Sequence, residues 1–141
     1  MTPPLFPFQE ALEWLAISAR DIRLAELALA DDPPLSGEAL YHAQQAAEKA
    51  LKGFLVYSGA LYPLTHDVRK LLQLCAEIDE GLAATLLPAS GLTQFAVRFR
   101  YPGEEQPTRE EAFPWLNLAR LVCKEVSRRI ISPMPETGVE E

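Results

Sequence analysis

The sequence predicts an all-α domain, an antiparallel up-and-down bundle of four to five helices. Three observations carry that expectation. Apolar residues recur at three- and four-residue spacings in each long segment between breakers. No run of β-branched residues alternates with period two, and neither Asn-Gly nor Asp-Gly occurs to mark a hairpin. The connections are short, which favours antiparallel neighbours.

The elements follow in order. Three prolines among Pro3–Pro7 make residues 1–7 an irregular lead-in. From Phe8, the positions Leu12, Leu15, Ala16, Ala19, Ile22, Ala25 and Leu29 define a first helix ending near Ala30, before Asp31-Asp32-Pro33-Pro34. Ser36 is expected to cap the second helix, with Glu38 near the positive end of its dipole and Ser58-Gly59 at its close. Leu40, Ala43, Ala47, Ala50, Leu51 and Phe54 give that helix a core face. A second stripe, Tyr41, Gln45, Glu48 and Lys52, lies roughly opposite and is polar. It reads either as a solvated face, its Glu48/Lys52 pair contributing a few tenths of a kcal/mol, or as a polar groove or subunit contact.

Thr65 is expected to cap a short third helix, with His66 at its first position and Asp67 in its first turn. Val68, Leu71, Leu72, Cys75 and Ile78 form its apolar face, and Gly81 ends it. Pro88 suits the start of a fourth helix that buries Leu92, Phe95, Ala96 and Phe99 and stops at Tyr101-Pro102-Gly103. Thr108-Arg109-Glu110-Glu111 has the form of a capping box. It opens a fifth helix carrying Ala112, Trp115, Leu116, Ala119, Val122, Cys123, Val126 and Ile130, with Pro114 in the first turns. Residues 8–131 thus read as a single domain, and 132–141 as a disordered acidic tail.

Composition bounds the function. The 141 residues are 48% hydrophobic and 23% charged, enough for one core without staples. No apolar run approaches the ~18 residues of a membrane span, and Met1–Glu10 has no signal-peptide pattern, so a soluble cytoplasmic protein is expected. Cys75 and Cys123 sit in helical apolar patterns without metal-ligand spacing and read as reduced core residues. No metal site or cofactor is expected: the two histidines are isolated and no glycine-rich phosphate loop occurs. A net charge of −7 argues against an extended nucleic-acid surface but leaves room for a small basic site.

Three separated blocks carry a family resemblance: Ala39–Lys52 (ALYHAQQAAEKALK), Thr65-His66-Asp67 and Arg100-Tyr101-Pro102. In order and spacing they resemble the HEPN domain family. The resemblance implies a helical bundle, frequent dimerisation, a proposed affinity for nucleotides or RNA, and partnership with a minimal nucleotidyltransferase in toxin-antitoxin pairs.

Many members of that family are metal-independent ribonucleases with an Arg followed four to six residues later by His. Here the nearest Arg before either His42 or His66 is Arg23, and no His follows Arg98 or Arg100, so the motif is absent. His42 reads as a structural or exposed residue between the two stripes. His66 reads as a neutral side chain fixing its loop. Side chains that could bind a nucleotide are Tyr41, Gln45, Glu48, Lys49, Lys52, His66, Arg98, Arg100 and Tyr101, the cations for phosphate and the tyrosines for stacking. Against this stands a bracing role in which Arg100 and Tyr101 hold the end of the fourth helix to the second through Glu48. Glu48, Lys52, His66 and Arg100 are expected to converge at one end of the bundle.

Two functions follow. The first is a non-catalytic HEPN-type interaction module, a homodimer binding a nucleotide and partnering a nucleotidyltransferase. The second is a divergent ribonuclease using His66, Arg100 and Tyr101.

Overall fold

The structure, a computed structural model, describes residues 7–131. It holds five α-helices and one 3-10 segment: α1 Pro7–Ala30, α2 Ser36–Tyr57, α3 Val68–Ala76, α4 Glu80–Leu86, the 3-10 segment Leu87–Ala96, and α5 Arg109–Ile131. Among the described residues there is no strand. The all-α bundle expected from the sequence is the fold observed. The anticipated behaviour of the lead-in Met1–Phe6 and of the acidic tail Ser132–Glu141 lies outside the described residues.

α2 is the axis, packing against α1, α3, α5 and the 3-10 segment. Cross-helix pairs fix directions. Ser18 on α1 meets Ala46 and Cys123, and Arg109 at the start of α5 reaches the Leu29 carbonyl at the end of α1. α1 therefore runs against both α2 and α5. Ala39, Ala43, Ala46, Ala47, Ala50 and Gly53 are all buried on α2, and these small residues let the neighbouring helices come close. At Gly53 a Cβ would lie 3.0 Å from Trp14 Cβ, so only glycine fits without moving α1.

Several local expectations need correction. Pro7 is the first residue of α1, where a missing N–H costs nothing. The buried face of α1 is Ala11, Leu15, Ser18, Asp21, Ala25 and Leu29, while Ala16 and Ala19 are exposed. The apolar alanines misplace the stripe because Ser18 and Asp21 occupy core positions and are satisfied there by partners from α2 and α5. Ser36 is not a cap: α2 begins at Ser36 itself, behind Leu35, and its first turn has no side-chain cap.

Asp67, not Thr65, caps α3, accepting from Arg69 N and Lys70 N, while Thr65 Oγ1 accepts from Asp67 N. His66 thus precedes the cap, outside the helix. α3 ends at Ala76, leaving Ile78 exposed, and Gly81 lies inside α4, whose start Asp79 caps through Leu82 N. The expected fourth helix is instead α4 followed by the 3-10 segment. Phe99 lies beyond its end with φ 67°, in the left-handed region. The capping box at α5 is present as expected, with Thr108 N donating to Glu111 Oε1 and Glu111 N to Thr108 Oγ1.

Candidate functional site

The polar stripe of α2 is not solvated. Glu48 is 1% and Lys52 6% exposed. The loop between α2 and α3 folds back over them, and Trp14 of α1 closes the other side. Lys52 Nζ donates to Glu48 Oε2 at 2.8 Å and lies 6.0 Å from the Trp14 ring centroid and 5.7 Å from that of Tyr62. His66 Nδ1 is 2.9 Å from Glu48 Oε1, and Gln44 Nε2 donates to Glu48 and to the His66 carbonyl at 2.9 Å. Burial by itself would raise the Glu48 pKa. The hydrogen bonds from Lys52 and His66, with the Lys52 charge and Gln44, outweigh it and hold the carboxyl below its ordinary range.

The network continues along α2. Gln45 Nε2 donates to Gln44 Oε1 and Lys49 Nζ donates to Gln45 Oε1, at 2.7 and 3.0 Å. Lys49 also approaches the buried Asp21, whose Oδ1 is 2.8 Å from His42 Nδ1. Both histidines therefore have Nδ1 held by a buried carboxylate, and Nε2 is the nitrogen left for another partner. His66 is largely exposed, its side chain 71% accessible.

A second constellation surrounds the first turns of α2. The Arg100 guanidinium lies 3.9 Å from the Tyr41 ring centroid, and Tyr41 stands edge-on to His42. With Gly37, Glu38 and Phe99 they line a cavity of about 330 Å³. Arg100 takes no carboxylate partner among the described residues. Gly37 explains the close approach of the Phe99–Gln106 loop, since Gly37 N donates to Gln106 Oε1 at 3.0 Å and a Cβ there would collide with that loop.

The proposed convergence is thus divided. Glu48, Lys52 and His66 meet. Arg100 does not join them: its partner is Tyr41, so the brace between the fourth helix and α2 runs through Tyr41 and not through Glu48. Tyr101, the other half of that brace, is exposed. Gln45 and Lys49 bridge towards Asp21. Arg98 lies over the Phe99 ring, bonds Gln94, and faces a separate groove. Sequence reasoning missed His42, Glu38 and Phe99 as cavity residues. One signal existed for His42: Asp21 stands three residues from Ser18 and four from Ala25, on the core spacing, and a buried carboxylate needs a partner.

Chemically, the cavity offers a planar cation with free donors, an imidazole nitrogen and one carboxylate acceptor, on an aromatic base. Among the described residues no group of three or more His, Cys, Asp or Glu could hold a metal ion, and no helix is long and apolar enough to cross a membrane. Burial pushes the Cys75 thiol up to about 12, with the Asp79 charge adding to it, and the Cys123 thiol up to about 11. Neither thiol is a nucleophile at neutral pH.

The family profile described as the HEPN domain matches residues 11–130. No curated protein and no solved structure matches the chain.

Proposed function

The chain belongs to the HEPN domain family, and on that premise we propose that it is a non-catalytic binding module whose ligand is a nucleotide held in the Tyr41–His42–Arg100 cavity. The observation that carries this reading is the Arg100–Tyr41 stack. A guanidinium fixed on a tyrosine face keeps its N–H donors for a phosphate, and its outer face is a platform for a base. His42 Nε2 supplies a second polar contact. Glu38 accepts from an amino group, which suits a base with an exocyclic NH2. The family resemblance extends the proposal to a homodimer that partners a minimal nucleotidyltransferase in the cytoplasm.

The test is titration calorimetry of the purified protein with adenosine, guanosine and cytidine monophosphates, against uridine monophosphate as the base without an amino group. Binding that falls at least tenfold in Arg100→Ala supports the reading, as loss of a bidentate charge-assisted pair is worth roughly 1.4 kcal/mol or more. Absence of binding to all four nucleotides overturns it. Co-purification with a nucleotidyltransferase encoded next to this chain tests the partnership.

One observation favours a second reading. His66 Nδ1 is anchored on buried Glu48 with Nε2 left for another partner, the arrangement that orients a general base. A ribonuclease would need a cation beside it to stabilise a phosphorane-like charge. Arg100 belongs to the separate Tyr41 cavity and not to the Glu48–His66 cluster, and Lys52 is buried against Glu48, so the binding reading is preferred.

A further inference from the structure

We propose that the start of α1 and the Ser58–Asp67 loop form one self-complementary face that pairs with the same face of a second copy of this chain. The inference rests on the homodimer reading above and names its surface. Leu61 and Leu64 are 93% and 98% exposed. Tyr62 between them packs edge-on against Trp14, with ring centroids 5.6 Å apart, and covers Lys52. The loop is pinned by its tyrosine and offers its leucines outward.

Beside this knob lies a notch of about 330 Å³ lined by Glu10, Glu13, Trp14 and Ile17. The two features are neighbours through the Tyr62–Trp14 contact, and their charges are opposite. The notch carries two carboxylates. The loop leads directly into His66, Arg69 and Lys70, all exposed. Asp67, the one acid among them, is committed to capping α3. In the proposed pairing a two-fold axis near Tyr62 would bring the leucines of each protomer to the other's notch and set Arg69 and Lys70 against Glu10 and Glu13. Burial of the leucines then supplies affinity, and the charge pairs set register. The net charge of −7 makes copies repel at long range, so association calls for a face with local complementarity of this kind.

Sedimentation velocity at micromolar concentration tests the pairing. The wild-type chain should sediment at about twice 15.7 kDa. E10K/E13K and R69E/K70E place like charges opposite each other and should each sediment as monomers. Mixing the two variants restores opposite charges in both halves, and a heterodimer should appear. L61D/L64D should be monomeric with an unchanged melting temperature. A wild-type dimer indifferent to both charge reversals, or reversed variants that stay monomeric when mixed, overturns this face while leaving the dimer. A monomeric wild type overturns both.

Discussion

His66 Nδ1 stands 2.9 Å from Glu48 Oε1, yet the imidazole is mostly in solvent and the carboxylate is almost completely withdrawn from it. The two ends of this contact therefore carry different energies. Removing the imidazole lets water take its place. Removing the carboxylate strands the Lys52 ammonium, which is 6% exposed between Trp14 and Tyr62. Glu48→Ala should lose about 3 kcal/mol, since breaking a buried pair leaves an uncompensated charge. His66→Ala should lose under about 1 kcal/mol. Thermal melts would show a drop of roughly 10 °C for the first and little for the second; equal drops would contradict the asymmetry.

Acid stability follows from the same carboxylate. Glu48 is held below its ordinary value of 4.5 in the folded chain. Asp79 is held low by the Leu82 N–H and Arg129, and Glu125 by Arg129 and Arg128. A depressed folded value means that the unfolded chain binds protons first. The stabilisation is complete above the ordinary carboxylate range and is lost as pH falls through the folded values. Urea midpoints should be flat from pH 7 to about 5 and decline below about 4.5, with a shallower decline in Glu48→Gln.

Gly37→Ala adds a methyl group that collides with Gln106 Oε1 and comes within 3.0 Å of Phe99 Cβ and 3.1 Å of the Phe99 carbonyl oxygen. The Phe99–Gln106 loop has to retreat, taking Arg100 with it. Stability should fall by about 1–3 kcal/mol, and nucleotide affinity should fall with it. A variant that melts lower but binds equally would separate the loop from the ligand.

The thiols should be inert in the native state. Both cysteines are free, Cys75 is fully buried, and both are pushed towards the alkaline end by burial. Ellman's reagent at pH 8 should therefore modify neither within minutes, and both once the chain is unfolded. Rapid labelling of native protein would contradict the burial.

Unstructured RNA incubated with purified protein in the absence of metal should stay intact. Cleavage abolished by His66→Ala would instead establish the ribonuclease reading and give Glu48 the role of orienting the base.

The legible part of the fold is the part governed by periodicity. The apolar positions of α2 and α5 are buried almost wherever the three-four spacing places them, from Leu40 to Phe54 and from Ala112 to Ile130. On α1 the same rule misassigns Ala16 and Ala19, because alanine is apolar enough to enter a stripe and small enough to cost nothing outside it. Ser18 and Asp21 take those core places with partners distant in sequence. The loop before α3 hid its cap because Thr65 and Asp67 are both good caps two residues apart. Leu87–Ala96 carries the apolar content of a helix but winds as 3-10, a choice local sequence does not decide. Shared membership of the three family-like blocks points Arg100 to Glu48, whereas tertiary placement sets it on Tyr41.

That 3-10 segment has a kinetic consequence. Its i to i+3 ladder has poorer hydrogen-bond geometry than the α-helices around it, yet it leads directly into Phe99 and Arg100. Partial opening of Leu87–Ala96 would lift Arg100 from Tyr41 while α1, α2 and α5 stay folded. Its amides should accordingly exchange with deuterium ahead of those in α2. A bound nucleotide, by holding Arg100 in place, should slow that exchange at a distance from its own contacts.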